Sequence, residues 1–310
     1  MNISYFSQLK KDTLIYGIGG LASKIITYLA LPVYTFIFSP KEYGNIEMLI
    51  LISTFIGYII GFGMDSGQSL YFYKIKNKGI KAQSRLVTSI LQFRIIFGSC
   101  TIIITTLLTP LFNSYLFNNE LSWIYFALAF SYSLTNQVLI QSLDLYRLLY
   151  KPWKFIIINL INSFLTVTTI VFFCLFLKLN IIGYILGTVI SSFIICLISW
   201  SKLRKHITLT KINFYWWPKL IKFGAPLIPT GVAIYFMSSA DRWFILHYRS
   251  AEELGIYSIA LKLSMVISLI ANTFRQAFWP VAVNAMYKTD GKKFFREISK
   301  IYFGIGCSII

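Results

Sequence analysis

The chain has 310 residues, of which 56% are hydrophobic and only 13% are charged. The charged share is about half of that in soluble domains, so the composition predicts a membrane protein. A formal net charge of +18 would indicate nucleic-acid binding in a soluble protein. Here the Lys and Arg residues lie in short links between apolar runs, so we expect no nucleic-acid partner. The 4 cysteines lie inside apolar runs without a C-x-x-C pair, and we expect neither a disulfide framework nor a metal site.

Apolar runs long enough to cross a bilayer core of about 30 Å recur along the chain. They predict an all-α polytopic membrane protein with about nine spans, at residues 13–37, 46–63, 86–108, 123–143, 155–177, 181–200, 223–248 and 255–274, and from Ile298 onward. The first run is too long for a signal peptide and has no small-residue cleavage site, so we expect an uncleaved span. The ninth run offers only about 15 Å of helix, which predicts a fragment with an incomplete second half.

The basic residues are concentrated in alternate links. One side holds Lys10, Lys11 and the bases of 74–85, 147–154, 202–222 and 288–300. The opposite links contain only Lys41, Lys178 and Arg249. By the positive-inside rule, the N-terminus is expected in the cytoplasm.

Charged residues inside an apolar run are functional candidates, because hydrocarbon does not tolerate them for packing reasons alone. The hairpin of the seventh and eighth spans contains Asp241, Arg242 and Lys262. Asp241 and Lys262 lie at equal distances from the centre of the link, so an antiparallel hairpin places them at one depth. We therefore expect them to form a buried ion pair. Arg242 points about 100° away from Asp241 and is left to face a central cleft or the outer headgroups.

Two further cations lie deep in the first half of the chain. Helical rise places Lys24 about 16 Å and Arg94 about 12 Å into their spans. No carboxylate is expected at their depth, so they are predicted to line a wet cavity and bind an anion. The alternative is that one or both extend to the cytoplasmic surface. The charges at the cytoplasmic ends of spans are expected to be structural, with an i,i+3 pair in one case: Asp65, Asp144 with Arg147, and Arg275.

An internal repeat and small-residue faces also occur. The segment Ser39-Pro40-Lys41-Glu42-Tyr43-Gly44 resembles Ser250-Ala251-Glu252-Glu253-Leu254-Gly255. Six spans separate the copies, so both halves are expected to enter the membrane in the same direction, as in some transporters. The Gly57-x-x-x-Gly61 pair predicts close helix packing.

The hairpin also carries a family resemblance. Gly-x-Pro-x-x-Pro at 224–229, Ser-Ser-x-Asp-Arg at 238–242, Glu-x-Gly-x-Tyr-Ser at 253–258 and the helical Lys262 resemble the seventh and eighth helices of polysaccharide-biosynthesis flippases. These belong to the multidrug/oligosaccharidyl-lipid/polysaccharide exporter superfamily. The resemblance implies a two-lobed bundle with a first lobe at 1–205, a cytoplasmic linker at 206–222 and a partial second lobe at 223–310.

The resemblance also implies a function. Similar flippases move an undecaprenyl-diphosphate-linked oligosaccharide from the inner to the outer leaflet of the bacterial cytoplasmic membrane, for lipopolysaccharide, O-antigen or other surface polysaccharide. Lys24, Arg94 and Arg242 are then the candidate substrate-binding cations, and Asp241 with Lys262 the structural or gating pair. Membrane lipids, a polysaccharide polymerase and glycosyltransferases are the implied partners. No cofactor is expected, and the coupling ion is left open.

Three alternatives remain at the level of sequence. A drug exporter of the same superfamily is expected to need an embedded carboxylate, which the first half does not offer at mid-depth. A membrane glycosyltransferase or polymerase is expected to have long extramembrane loops with carboxylates, and the outer links are too short for them. An incomplete chain could also be an inactive fragment.

Overall fold

A computed structural model describes residues 22–208, 214–265 and 296 of the chain. Every regular element in these ranges is a helix, with no strand. Five helical segments of the described part are long and apolar enough to cross a membrane: Pro40–Lys74, Ile80–Leu107, Pro152–Phe176, Asn180–Lys202 and Trp217–Tyr248. The expected all-α polytopic membrane fold is confirmed. The start of the first predicted span, the end of the eighth, the ninth and Arg275 lie outside the described residues.

The helices follow one another with short connections. In chain order they are α1 (Ala22–Ile37, with a turn at Ala30), α2 (Pro40–Gly61), α3 (Met64–Lys74), α4 (Ile80–Leu107), α5 (Thr109–Phe117), α6 (Trp123–Leu148), α7 (Pro152–Val171, followed by a π-helical turn at Phe172–Phe176), α8 (Asn180–Lys202), α9 (Trp217–Gly224), α10 (Ile228–Tyr248) and α11 (251–265). Short 3₁₀ turns lie at Lys76–Lys78, Arg204–His206 and Ala225–Leu227.

The second predicted span begins earlier than expected and is continued beyond its end by a second helix, α3. It begins at Pro40 because Ser39 and Glu42 form a reciprocal capping box at the start of α2. At its other end Phe62 and Gly63 adopt left-handed φ angles of 47° and 65°, and α3 continues from there. A side chain at Gly63 would approach the carbonyl oxygen of Gly224 to 2.7 Å, so only glycine fits this crossing. The break places Asp65, at the start of α3, within reach of Arg94 on α4.

Helix α6 lies at the centre of the bundle, against α2, α4 and α8. Its packing is fixed by polar contacts as well as by apolar burial. The indole Nε1 of Trp200 donates to the carbonyl oxygen of Val138 at 3.2 Å, and the buried hydroxyls of Ser142 and Ser199 lie 2.7 Å apart. Lipid offers no partner for such groups, so they must be satisfied inside the protein.

The C-terminal helices α9 to α11 pack against α2, α3 and α4. Along α2, the hydroxyl of Tyr235 donates to the carbonyl oxygen of Leu51 at 3.0 Å. At α4, the indole of Trp217 donates to the carbonyl oxygen of Ser89 at 3.1 Å. Helix α9 overlaps the predicted linker 206–222, so the last part of that linker is helical. The division into two lobes stays a prediction.

Two ends of the bundle are used below. The capped end is the one at which Ser39 and Ser250 precede α2 and α11. The basic end is opposite and carries Lys76, Lys78 and the 3₁₀ turn Arg204–His206.

Candidate functional site

A buried carboxylate, Glu47 on α2, lies at the contact with α10 and α11. Its side chain is only 5% exposed. The guanidinium of Arg242 donates to Glu47 Oε1 at 3.1 Å, and the ammonium of Lys262 donates to Glu47 Oε2 at 2.6 Å. Arg242 also donates to the carbonyl oxygen of Ser238 at 2.5 Å, and Lys262 to the hydroxyl of Tyr43 at 2.9 Å. One carboxylate thus holds two cations from two other helices.

The predicted ion pair between Asp241 and Lys262 is wrong. The Asp241 carboxylate accepts a hydrogen bond from the Tyr257 hydroxyl at 2.5 Å and lies 3.5 Å from Arg242 Nε. Lys262 pairs with Glu47 instead. Equal depth in a hairpin does not fix the direction of a side chain around its helix. Asp241 is 40% exposed, whereas Arg242 is 11% exposed and faces α2.

Glu47 is the residue that sequence reasoning missed. It lies inside the predicted span 46–63, and a carboxylate within an apolar run is enough to mark a residue as a functional candidate. The first half therefore does contain a buried carboxylate within an apolar run, but it lies near the capped end and not at mid-depth. Together the charged cluster, defined as Glu47, Asp241, Arg242 and Lys262, contains two acids and two bases and is formally neutral.

The two copies of the internal repeat meet beside this cluster. The hydroxyl of Ser39 accepts from the amide of Glu42 at 3.3 Å, and that of Ser250 accepts from the amide of Glu253 at 3.1 Å. The two segments thus cap their helices in the same way.

The repeat copies also touch each other reciprocally. A Cβ at Gly44 would overlap the carbonyl oxygen of Ala251, and a Cβ at Gly255 would overlap that of Pro40. Pro40 and Ala251 occupy the same place in their repeats, so the contact is related by a local two-fold axis. Such an isologous contact closes the capped end by backbone packing.

Arg94 does not face a cavity, contrary to the prediction. It is fully buried, and its guanidinium lies 2.6 Å from Asp65 Oδ1. The same guanidinium donates to the carbonyl oxygen of Gln137. Helix α4 begins six residues before the predicted span 86–108, and the break before α3 brings Asp65 inward. Asp65 is therefore the carboxylate partner that Arg94 was expected to lack.

The expected i,i+3 pair of Asp144 with Arg147 is confirmed, at 3.1 Å. It adjoins the Arg94–Asp65 pair, because Asp144 also interacts with Asp65 and Arg94. Two acids and two arginines thus form one network toward the basic end. Its charges compensate one another and leave no free cation for an anionic ligand.

Lys24 is exposed on the first described turns of α1. It remains the one predicted substrate cation, among the three in the described part of the chain, that the structure does not place in an ion pair. Its role as an anion contact stays a prediction.

A polar cavity of about 370 Å³ lies between α2, α3, α6 and the start of α10. Hydroxyl, amide and carboxylate side chains dominate its polar wall: Ser53, Thr54, Tyr58, Asp65, Ser66, Tyr132, Ser133, Asn136 and Gln137. Leu227, Ile228 and Gly231 of the C-terminal helices complete it. The cavity is nearer to the basic end, whereas the charged cluster is nearer to the capped end.

Comparisons of the sequence with known proteins identify a family and two relatives. The family described as polysaccharide biosynthesis protein matches residues 9–286. A Haemophilus influenzae protein named Lsg locus putative protein 1 is 24% identical over 284 residues, which cover 89% of this chain and 66% of the relative. An uncharacterized membrane protein of the same organism is 22% identical over 279 residues, covering 88% of this chain and 64% of the relative.

The chain thus spans about two thirds of the length of the curated relatives that it matches. No solved structure matches it significantly. With a family match across most of its length and several apolar helices able to cross a bilayer, the chain is a multi-pass membrane protein that belongs to the polysaccharide biosynthesis protein family.

Proposed function

We propose that the protein is a flippase that carries a lipid-linked oligosaccharide, bound through an undecaprenyl diphosphate, across the bacterial cytoplasmic membrane for surface polysaccharide biosynthesis. The family supports a role in polysaccharide biosynthesis. The lipid diphosphate, the O-antigen or lipopolysaccharide pathway, the cytoplasmic N-terminus and the membrane partners belong to the proposal. In it the protein acts as a transporter and not as an enzyme.

The observation that carries the proposal is the asymmetry of the contact between α2 and α10. At the capped end Glu47 ties α2 to α10 through Arg242 and to α11 through Lys262, and the reciprocal packing of Gly44 and Gly255 closes α2 against α11. Toward the basic end, before the close backbone contact of Gly63 with Gly224, α2 and α10 leave the polar cavity between them. A transporter that exposes its cargo alternately on two sides needs one closed and one accommodating end.

The charged cluster suits a gate better than a cargo site. Glu47 is compensated by two cations, so opening the capped end would separate buried opposite charges unless water or cargo replaces the lost partners. This arrangement ties α10 and α11 to α2 in one state and releases them in another.

A drug exporter of the same superfamily is the second candidate, and the buried Glu47 near the capped end offers it an embedded carboxylate. Glu47 is however already bound by Arg242 and Lys262. A cationic drug or proton would have to displace them. The polar cavity and the family match favour the lipid-linked sugar.

A reconstituted assay separates the two candidates. Purified protein in vesicles would be given undecaprenyl-diphosphate N-acetylglucosamine in one leaflet, and the sugar appearing in the other leaflet would be measured with an impermeant lectin. Ethidium efflux from matched vesicles tests the exporter. We expect lipid translocation without ethidium efflux; ethidium efflux without lipid translocation would overturn the proposal.

Substitution of Lys24 gives the assay a variant for which the two possible roles of this lysine predict opposite effects on translocation. If Lys24 contacts the diphosphate, Lys24→Gln should abolish translocation and Lys24→Arg should retain part of it, since the positive charge is what matters. A lysine that only extends to the membrane surface predicts full translocation by Lys24→Gln, because neutralising it removes a desolvation cost. Full activity of Lys24→Gln would remove Lys24 from the substrate site.

A further inference from the structure

Among the described residues, the wall of the polar cavity contains neutral hydroxyl and amide side chains and the Asp65 carboxylate, but no basic side chain. Some of its hydroxyl donors are already used within the protein. The hydroxyl of Thr54 donates to the carbonyl oxygen of Ile50 at 2.8 Å, and that of Ser133 donates to the carbonyl oxygen of Ser53 at 2.6 Å. A hydroxyl has one donor, and both are used within the protein. What remains toward a ligand is the lone pairs of the two oxygens.

Two further acceptors lie in the same wall. Asp65 is 35% exposed on this wall and carries a negative charge, although its carboxylate pairs with Arg94 and also interacts with Asp144. The amide oxygen of Gln137 is buried and has no hydrogen-bond partner among the described residues. The Gly57-x-x-x-Gly61 face packs against α6 and accommodates this amide, since Cβ positions on the two glycines would lie 3.3 and 3.1 Å from it.

This distribution opposes a phosphate and favours a polyol. Phosphate oxygens carry negative charge, so they would face the Asp65 carboxylate with no Lys, Arg or His among the described lining residues to compensate it. Arg94, the nearest guanidinium, is fully buried behind Asp65. Sugar hydroxyls, in contrast, are neutral and both donate and accept hydrogen bonds, so they match a wall of hydroxyl and amide groups that includes the unpartnered amide oxygen of Gln137. Tyr58 adds an aromatic surface for the apolar face of a sugar ring.

We propose that this cavity binds the hydroxyl groups of the sugar unit and that the diphosphate binds elsewhere. The inference rests on the proposed function, of which it specifies the part of the cargo recognised at this place. The cavity volume of about 370 Å³ lies at the small end of ligand pockets, which range from about 300 to 1,000 Å³. It therefore accommodates a small part of an oligosaccharide.

The test compares lipids with the same tail. Purified full chain in nanodiscs would be titrated with undecaprenyl diphosphate and with undecaprenyl diphosphates bearing N-acetylglucosamine, galactose or glucose, and binding would be measured by native mass spectrometry. We expect at least one sugar-bearing lipid to bind about tenfold more tightly than the bare diphosphate, the effect of one or two hydrogen bonds.

Two substitutions and matched controls locate the effect. Combining Thr54→Val with Gln137→Leu should abolish the advantage of the sugar-bearing lipid and leave affinity for the bare diphosphate unchanged, which also shows that the variant is folded. Thr168→Val and Asn162→Leu are the controls. Thr168 makes the same bond to its own helix, at 2.9 Å, and Asn162 also has a buried unpartnered amide oxygen, but neither lines the cavity.

The outcomes separate this inference from the proposed function. Equal affinity of the wild type for all four lipids, or equal weakening of every lipid by the paired substitutions, would overturn the sugar site and leave the flippase proposal standing. Failure of the wild type to bind any of the four lipids would overturn both.

Discussion

Glu47 is the side chain whose substitution is expected to cost the fold the most stability among the charged residues that the structure describes. Its carboxylate is 5% exposed and pairs with two cations. Removing one partner of a buried ion pair leaves an uncompensated charge, at a cost of about 3–5 kcal/mol. Exposed pairs contribute only about 0–1 kcal/mol. The pair of Lys41 with Glu120, whose side chains are 57% and 49% exposed, is the natural comparison.

We therefore expect Glu47→Gln to lower the thermal unfolding midpoint strongly and Glu120→Gln to leave it nearly unchanged. Size-exclusion fluorescence after heating in detergent measures both. Adding Lys262→Met to Glu47→Gln should recover part of the loss, because it removes a stranded cation. Additive effects of the two substitutions, without any recovery, would contradict the coupling between Glu47 and Lys262.

The charged residues show what sequence can and cannot locate. Their position inside apolar runs marked Arg242 and Lys262 as unusual, and both belong to the cluster. Their partner could not be chosen by depth, because depth is set by the helical rise while contact is set by rotation about the helix axis. Arg94 and Asp65 illustrate the same limit, since a break at Gly63 redirects the chain between them.

At the scale of the elements, the sequence predicted the helices better than their ends. The predicted second span began at residue 46, whereas α2 begins at Pro40. The Ser39 and Glu42 capping box was present in the sequence as a start signal. Helix α5 (Thr109–Phe117) was not predicted because its nine residues cannot cross a bilayer, and the search was for spans.

The contact of Gly44 with Gly255 gives a prediction at this scale. Gly44→Ala and Gly255→Ala should each destabilise the protein by about 1–3 kcal/mol, the range for overpacking, because the overlapping atoms are backbone carbonyl oxygens. The two losses should be similar, since the contact is reciprocal. Thermal unfolding in detergent measures them.

Gly231→Ala is the control for this pair. A Cβ there would lie 3.2 Å from a ring carbon of Tyr58, and a side chain can move where a backbone carbonyl cannot. We expect a smaller loss than at Gly44. If Gly44→Ala unfolds at the wild-type temperature, the two repeats do not meet as closely as described.

For the molecule as a whole, the distribution of charge, and not the packing of the helices, predicts the orientation in the membrane. The helices are apolar on most faces, and the bases gather at one end, in Lys76–Lys78 and Arg204–His206. Positively charged links are retained in the cytoplasm during insertion. The contacts inside the bundle carry no information about which end that is, so orientation follows from the charge of the links alone.

Orientation is tested by the accessibility of single cysteines in a variant without native cysteine. Lys78→Cys at the basic end and Glu252→Cys at the capped end are both on exposed positions, so folding should tolerate them. In intact cells an impermeant thiol reagent should label Glu252→Cys and leave Lys78→Cys unlabelled until the membrane is permeabilised. Labelling of both after permeabilisation shows that each thiol is reactive. The reverse pattern in intact cells would place the polar cavity toward the outside, and the closed end with Glu47 would then face the cytoplasm.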